Sequence, residues 1–248
     1  MRHTPFKLCD LNRLRCATWC VLCTVKVAIF EDHQSIIDGY IFRLEKKEDI
    51  KIVGSCLFGE ELKPMLAETE VDVLLLDLSV PISADNQNIY PVRHELSKIV
   101  PEYPDLKIIA ISVFDQPALV RSLVDIGIRG YILKDDQHSI QNLAHIIRVV
   151  ADGGTYLSDK LTSSIFGNDP GIPLTPRQLD ALTLCVAYPD LPTSALAQKM
   201  GITGSTFRNL LSEAYQRLGV RTKAAAVKLI QEKELIVIES GKYKRNID

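Results

Sequence analysis

Asp77 follows the apolar run Val73-Leu74-Leu75-Leu76, and three other strand-like runs also stop at residues that handle charge. Val25 to Phe30 stops at Glu31-Asp32, Lys107 to Ile111 at Ser112, and Gly130 to Leu133 at Lys134. In a parallel sheet the carboxyl ends of the strands share one edge, which is where α/β proteins place their chemistry. Three carboxylates, a hydroxyl and an ammonium would therefore meet there. Oxygen donors suit a hard divalent cation, and an ammonium beside them suits a phosphoryl group.

A second constellation lies toward the C-terminus. Thr175-Pro176-Arg177-Gln178 combines an N-cap, a proline at the first helical position and a capping-box glutamine, so a helix starts there. Thr193 to Met200 reads as a second helix, Gly201-Ile202-Thr203 as a tight turn, Gly204 to Leu218 as a third helix, and Thr222 caps a fourth over Lys223 to Gln231. Helix, three-residue turn with glycine, helix is the spacing of a helix-turn-helix. Charge agrees with this: residues 172–248 hold 11 Lys and Arg against 7 Asp and Glu, a surplus of four positive charges. The rest of the chain holds 18 against 24, a deficit of six, so only the C-terminal part suits a polyanion.

These residues need a scaffold, and 248 residues with 46% hydrophobic content allow two ordinary globular domains. From Val25 to Gly154 strand-like runs alternate with amphipathic segments over Gln34 to Lys47, Gly59 to Glu68, Pro91 to Val100, Gln116 to Ile126 and Ser139 to Ala151. That alternation predicts an α/β fold with a five-stranded doubly wound parallel sheet, its second strand over Lys51 to Ser55. Asp135 or Ser139 is placed to cap the last helix. Asp152-Gly153-Gly154 closes this unit, and Gly167 to Pro173 is rich in helix breakers. The expected division is an N-terminal extension (1–24), a first domain (25–154), a linker (155–173), a small all-α domain (174–236) and a tail (237–248), with a short helix over Asp159 to Ile165 inside the linker.

The extension carries Cys9, Cys16, Cys20 and Cys23, whereas Cys56 and Cys185 are isolated in apolar surroundings. This is not a disulfide framework. Cys16, Cys20 and Cys23 with Cys9 or His3 could ligate zinc, although no standard spacing is matched. The apolar stretch Cys16 to Ile29 is interrupted by Lys26 and is too short to span a bilayer, so its second half is assigned to the first strand. A disordered leader, or a start codon placed too early, is the plainer account.

Glu31, Asp32, Asp77, Ser112, Tyr131 and Lys134, each at a strand end and in this order, resemble the receiver domain of two-component response regulators, a flavodoxin-like fold. The phrase Gly-Tyr-Ile-Leu-Lys-Asp (130–135) resembles the NarL/FixJ subgroup. The resemblance implies that Asp77 is the phosphoacceptor and that Glu31, Asp32, Asp77 and the backbone carbonyl of Ser79 hold Mg²⁺. It implies that Lys134 and Ser112 bind the phosphoryl oxygens and that Tyr131 turns inward as Ser112 moves. Residues 83–90 make the loop after the Asp77 strand about five residues longer than is usual for such domains, and a passive surface insertion is the expected reading.

Residues 172–236 resemble the LuxR-type DNA-binding domain through Leu174-Thr175-Pro176-Arg177-Gln178, Leu196 to Ile202, Thr206 to Asn209 and Leu218-Gly219-Val220. The likeness implies a core of Leu196, Ala197, Ile202, Phe207, Leu211 and Leu218, with Ser205, Thr206, Arg208, Asn209 and Ser212 facing the major groove. Arg208 could read guanine or grip phosphate, Asn209 could pair with adenine, and Arg177, Lys199, Arg217, Arg221 and Lys223 are candidates for the phosphate backbone. Gln178 stands where such domains commonly have Glu, Leu210 where a polar residue is common, and the turn Tyr188 to Pro192 is unusually rigid.

Together these readings describe a cytoplasmic, non-enzymatic transcription regulator with no membrane association. A sensor histidine kinase would phosphorylate Asp77, and the chain would dimerise and bind double-stranded promoter DNA. A phosphorylation-independent regulator or protein-interaction module built from the same two domains is the alternative. An aspartyl phosphatase or phosphotransferase would need a second acid two residues after Asp77, where Ser79 stands.

Overall fold

The computed structural model describes residues 24–165 and 174–232. Six strands, β1 (Val25–Phe30), β2 (Ile50–Cys56), β3 (Val73–Leu76), β4 (Lys107–Ser112), β5 (Gly130–Leu133) and β6 (Tyr156–Leu157), form one parallel sheet in the order β2-β1-β3-β4-β5-β6. Chain order reverses between β1 and β3, the kind of switch point outside which ligands bind. The five-stranded expectation is corrected to six. Tyr156 and Leu157 pair with Gly130 and Tyr131, and Leu161 is buried in the core, so residues just beyond Gly154 extend the sheet. Two residues are too few to carry a periodic signal, which is why the sequence reading ended the sheet early.

The strands read as continuous apolar runs because both faces are covered, and their side chains divide by alternation. Ala28, Phe30, Leu74, Leu76, Ile108 and Ala110 pack under α2 (Gly59–Glu68), α3 (Val92–Glu102) and α4 (Pro117–Ile126). Val27, Ile29, Val73, Leu75, Ile109 and Ile111 pack under α1 (Gln34–Leu44) and, after the short helix α5 (Gln137–Gln141), under α6 (Leu143–Ala151). The single helix expected over Ser139 to Ala151 is thus two, joined at Asn142. Its cap is Asp136, whose carboxylate accepts from Ser139 N at 3.1 Å, not Asp135 or Ser139. A further helix, α7 (Asp159–Ile165), follows β6 and packs on α4.

The long loop after β3 is not a passive insertion. Pro81 pairs with Ile89 as an isolated antiparallel bridge, and Ile82 N donates to Asn88 O at 2.9 Å. Gly59 N and Glu60 N donate to the carbonyls of Pro81 and Ile82, so the loop satisfies amides that the start of α2 would otherwise leave free. Ile82, Ile89 and Tyr90 are buried, and the Tyr90 ring meets Phe30 edge-on at 5.9 Å between centroids. The segment is a clip with buried apolar ends and a largely exposed polar tip.

The second unit contains α8 (Pro176–Ala187), α9 (Thr193–Lys199), α10 (Gly204–Leu218) and α11 (Lys223–Glu232) around Leu179, Leu182, Leu196, Ala197, Phe207, Leu211, Ala214 and Ile230. Thr175 and Gln178 form the capping box, with Thr175 N donating to Gln178 Oε1 at 3.0 Å. Between α9 and α10 the chain turns at Gly201, which holds a φ of +65° that a side chain would strain. Thr203 then caps α10, its hydroxyl accepting from Thr206 N at 3.2 Å. The N-terminal cysteines Cys9, Cys16, Cys20 and Cys23, residues 166–173 of the expected linker and the tail lie outside the described residues.

The two units touch. Leu78, Tyr90, Val92, Leu119 and Leu123 of the first line one crevice with Thr183, Val186 and Ala187 of α8. Arg93 on α3 pairs with Asp180 on α8 and also donates to the Pro176 carbonyl at 3.3 Å.

Candidate phosphoacceptor pocket and nucleic-acid face

Strand ends place the acid pocket. Glu31 N donates to Cys56 O at 3.2 Å and Asp77 N to Phe30 O at 2.8 Å, so each acid leaves its strand at the same level of the sheet. Lys134 N donates to Ser112 O at 2.8 Å and brings the β5 end to that level. The Lys134 ammonium then lies 2.7 Å from Glu31 Oε2 and 2.9 Å from Asp77 Oδ2. Asp77 Oδ1 accepts from Ser79 N at 3.2 Å. Glu31 and Asp77 are 1% and 5% exposed, so this is a buried cluster opening at Asp32 and His33.

Burial pushes the Asp77 carboxyl above the usual carboxylate range. Lys134 opposes that shift and Glu31 reinforces it. Burial disfavours the Lys134 charge, yet Asp77 and then Glu31 outweigh it and raise the ammonium above its ordinary value. Three carboxylates face one ammonium, leaving two negative charges that one divalent cation would balance. Donor atoms of Glu31, Asp32 and His33 lie within 4.8 Å of one another, close enough to share an ion. His33 did not enter the sequence reading. Its Nδ1 lies 2.8 Å from Asp32 Oδ1, and burial notwithstanding, Asp32 raises its pKa. The signal available was its position directly after Glu31-Asp32.

Ser112 is fully buried and its hydroxyl accepts from Phe114 N at 3.3 Å. Tyr131 is already turned inward, with no exposed surface and its hydroxyl donating to the Phe114 carbonyl at 2.7 Å. The inward turn expected to accompany movement of Ser112 is therefore present with Lys134 still bridging Glu31 and Asp77. Phe114 joins Ser112 and Tyr131 through its backbone, a link that side-chain identities do not reveal.

On α10, Phe207, Leu211 and Ala214 face inward, while Ser205, Thr206, Arg208, Asn209 and Ser212 are exposed on the other side. The exposed set remains so with the first domain docked against α8. Ser205 and Thr206 hydroxyls lie 2.9 and 2.8 Å from Thr203 Oγ1. Arg177, Arg217 and Arg221 are exposed; Lys199 lies over the Tyr188 ring at 4.1 Å, and Lys223 Nζ donates to Pro189 O at 3.2 Å. Both lysines thus help hold the rigid turn before α9. Gln178 is buried, and its amide donates to Glu213 on α10 at 2.9 Å, which a glutamate there could not do. Leu210 packs against the domain core.

No family model matches the chain. It is similar to the oxygen regulatory protein NreC of Staphylococcus carnosus, 26% identical over 86% of this chain and 99% of that protein. It is also similar to the transcriptional regulatory protein MctR of Rhizobium johnstonii, 28% identical over 82% of this chain and 92% of that one. Among solved structures, RcsB of Salmonella enterica serovar Typhimurium bound to the promoter rprA with a phosphomimetic covers 84% of this chain and 98% of that chain. That match has 20% identity and a TM-score of 0.58, and speaks for the fold. Among the described residues no helix is long and apolar enough to cross a membrane. With curated regulators matched along nearly their whole length and both domain architectures present in order, the chain is similar throughout to two-component response regulators of the NarL/FixJ type.

Proposed function

We propose that this protein is a phosphorylation-controlled, DNA-binding transcription regulator of the cytoplasm that accepts a phosphoryl group on Asp77 from a sensor histidine kinase. The observation that carries this reading is the buried Glu31–Lys134–Asp77 cluster at the carboxyl edge of the sheet, open at Asp32. Residues 25–165 act as the receiver and 174–232 as the core of the DNA-binding domain.

Glu31, Asp32, Asp77 and the Ser79 carbonyl would hold Mg²⁺, whose charge offsets that of the carboxylates and the incoming phosphoryl oxygens. The oxygen-rich donor set fits that ion. A carboxylate oxygen of Asp77 attacks the phosphorus of a phosphohistidine, an acyl phosphate forms, and the imidazole leaves with the electron pair of the broken P–N bond. Lys134 exchanges its contact with Asp77 for one with a phosphoryl oxygen. The Ser112 hydroxyl turns from Phe114 N to the new phosphate, beside a Tyr131 ring that is already inward and bonded to the Phe114 carbonyl. The added dianion thus acts on the loop that begins α4.

The output face is the exposed side of α10. Ser205, Thr206, Arg208, Asn209 and Ser212 enter the major groove of promoter DNA, with Arg208 and Asn209 as the residues of greatest reading capacity. Lys199, Arg221 and Lys223 lie around that face as phosphate contacts. Two copies bound as a dimer would read paired half-sites.

The test is Mg²⁺-dependent phosphorylation by a small phosphodonor, wild type against Asp77→Ala, with dimerisation and DNA binding followed on the same samples. Label confined to the wild type, with affinity rising on phosphorylation, is the expected result. A wild type that takes no label would leave the receiver as a fold without its chemistry.

A further inference from the structure

We propose that the seam between the two domains is a proton-responsive latch, held closed by Arg93 and Asp180 and opened when His94 takes up a proton. Its trigger is a proton on His94 and not phosphorylation, although Leu78, next to Asp77, lines the same seam.

The first turn of α3 presents Arg93 and His94 to α8. Arg93 and Asp180 are paired with side chains 8% and 10% exposed, and Arg93 also reaches the Pro176 carbonyl. His94 is more deeply enclosed, its side chain 5% exposed, and neither ring nitrogen has a hydrogen-bond partner. The seam therefore accepts a neutral imidazole, and an imidazolium would be a charge removed from water whose nearest carboxylate, Glu95 at 3.8 Å, is already paired.

The charged groups around His94 are already committed. On its own helix Glu95 Oε1 is 3.8 Å from Nε2, but Glu95 binds Lys98 at 3.1 Å and Lys63 of α2 at 2.5 Å. On α8, Asp180 is held by Arg93. On α9, the Lys199 carbonyl accepts from Lys98 Nζ at 3.2 Å. Each anion or acceptor facing the ring thus has a cation of its own, and a further proton adds net positive charge beside Arg93 and Lys98.

The direction of the pH effect follows. Burial, then Lys98, holds His94 below its ordinary value, against the pull of Glu95, Asp180 and the Lys199 backbone. Undocking exposes the ring and restores a pKa of about 6.5. The docked state binds the proton less well, so docking is strongest above that value and weakens as pH falls through it. One proton sets the limit at about tenfold in the docking constant per pH unit. Burial would raise Glu95, but Lys63 and Lys98 hold it below the glutamate range, so it stays ionised throughout. Asp180 is held above its ordinary range by burial despite Arg93, and its protonation works in the opposite sense. A variant at His94 is needed to separate the two.

Small-angle scattering and sedimentation velocity on the full-length unphosphorylated monomer, from about pH 8 to pH 5.5 at constant ionic strength, test the latch. Wild type should extend as pH falls through the histidine range, His94→Gln should stay compact, and Arg93→Ala should be extended throughout. If His94→Gln loses its circular-dichroism signature of folding, His94→Asn takes its place. A wild type of constant dimensions, one that compacts on acidification, or a His94 variant that opens in parallel with it would overturn the proposal.

Discussion

Lys134→Ala isolates the electrostatics of the acid pocket. The ammonium sits 2.7 Å from Glu31 and 2.9 Å from Asp77, with those carboxylate side chains 2% and 5% exposed. At an effective dielectric of about 20, each contact carries roughly 6 kcal/mol of gross attraction, most of it cancelled by desolvation of the charges. Taking away the cation leaves two buried carboxylates facing each other, a class of change that costs about 3–5 kcal/mol. Against a domain stability of about 5–15 kcal/mol this is readily measured. Urea unfolding near neutral pH in EDTA should show a lower midpoint with an unchanged slope. Added Mg²⁺ should return about 2.7 kcal/mol at a hundredfold excess over its dissociation constant. The loss should also shrink on acidification. Asp77 is already raised in the folded protein, so its contribution is present below the ordinary Asp value and is lost as pH rises through the raised one. Removing Lys134 widens that window. A loss under about 1 kcal/mol in EDTA, or one that neither Mg²⁺ nor acid reduces, would refute the picture of a pocket with excess buried negative charge.

Gly59→Ala tests the clip. An added Cβ would lie 2.0 Å from Tyr90 Cδ2 and 2.8 Å from Tyr90 Cβ, so the ring must leave its place against Phe30. Overpacking of this kind costs about 1–3 kcal/mol, readable as a lower urea midpoint, and a neutral change would show the loop to be loosely held. On the output face, Arg208→Ala should leave stability within about 0.5 kcal/mol, since the side chain is exposed. It should weaken promoter binding, either lowering the salt slope by about 1 or relaxing specificity at one base pair by about 1–3 kcal/mol, which salt titrations on matched and mutated sites would distinguish.

Much of the fold was legible because its signals are local. Continuous apolar runs ending at charged residues marked the central strands, and Thr175 with Gln178 marked the start of α8 through a capping box that forms as expected. Where the reading failed, the deciding interactions were not local. β6 is a strand because Tyr156 and Leu157 meet β5, and neither its length nor its composition announces that. The loop 83–90 looked like polar excess, yet Ile82, Ile89 and Tyr90 fasten it to α2 and β1. For the candidate site, the acids and Lys134 were found from strand ends, whereas the bond from Tyr131 to the Phe114 carbonyl required backbone coordinates.

The sequence by itself determined which residues could do chemistry and at which end of each strand they stand, because parallel strands and alternating side chains permit few arrangements. It also marked the helix-turn-helix, since caps and turn glycines act within a few residues. Only the tertiary structure decided that Lys134 bridges Glu31 and Asp77 across 103 and 57 residues of chain. It alone brought Arg93 to Asp180 across 87 residues and enclosed His94 beside them. Burial is a property of what packs around a group, and for His94 the packing comes from another domain.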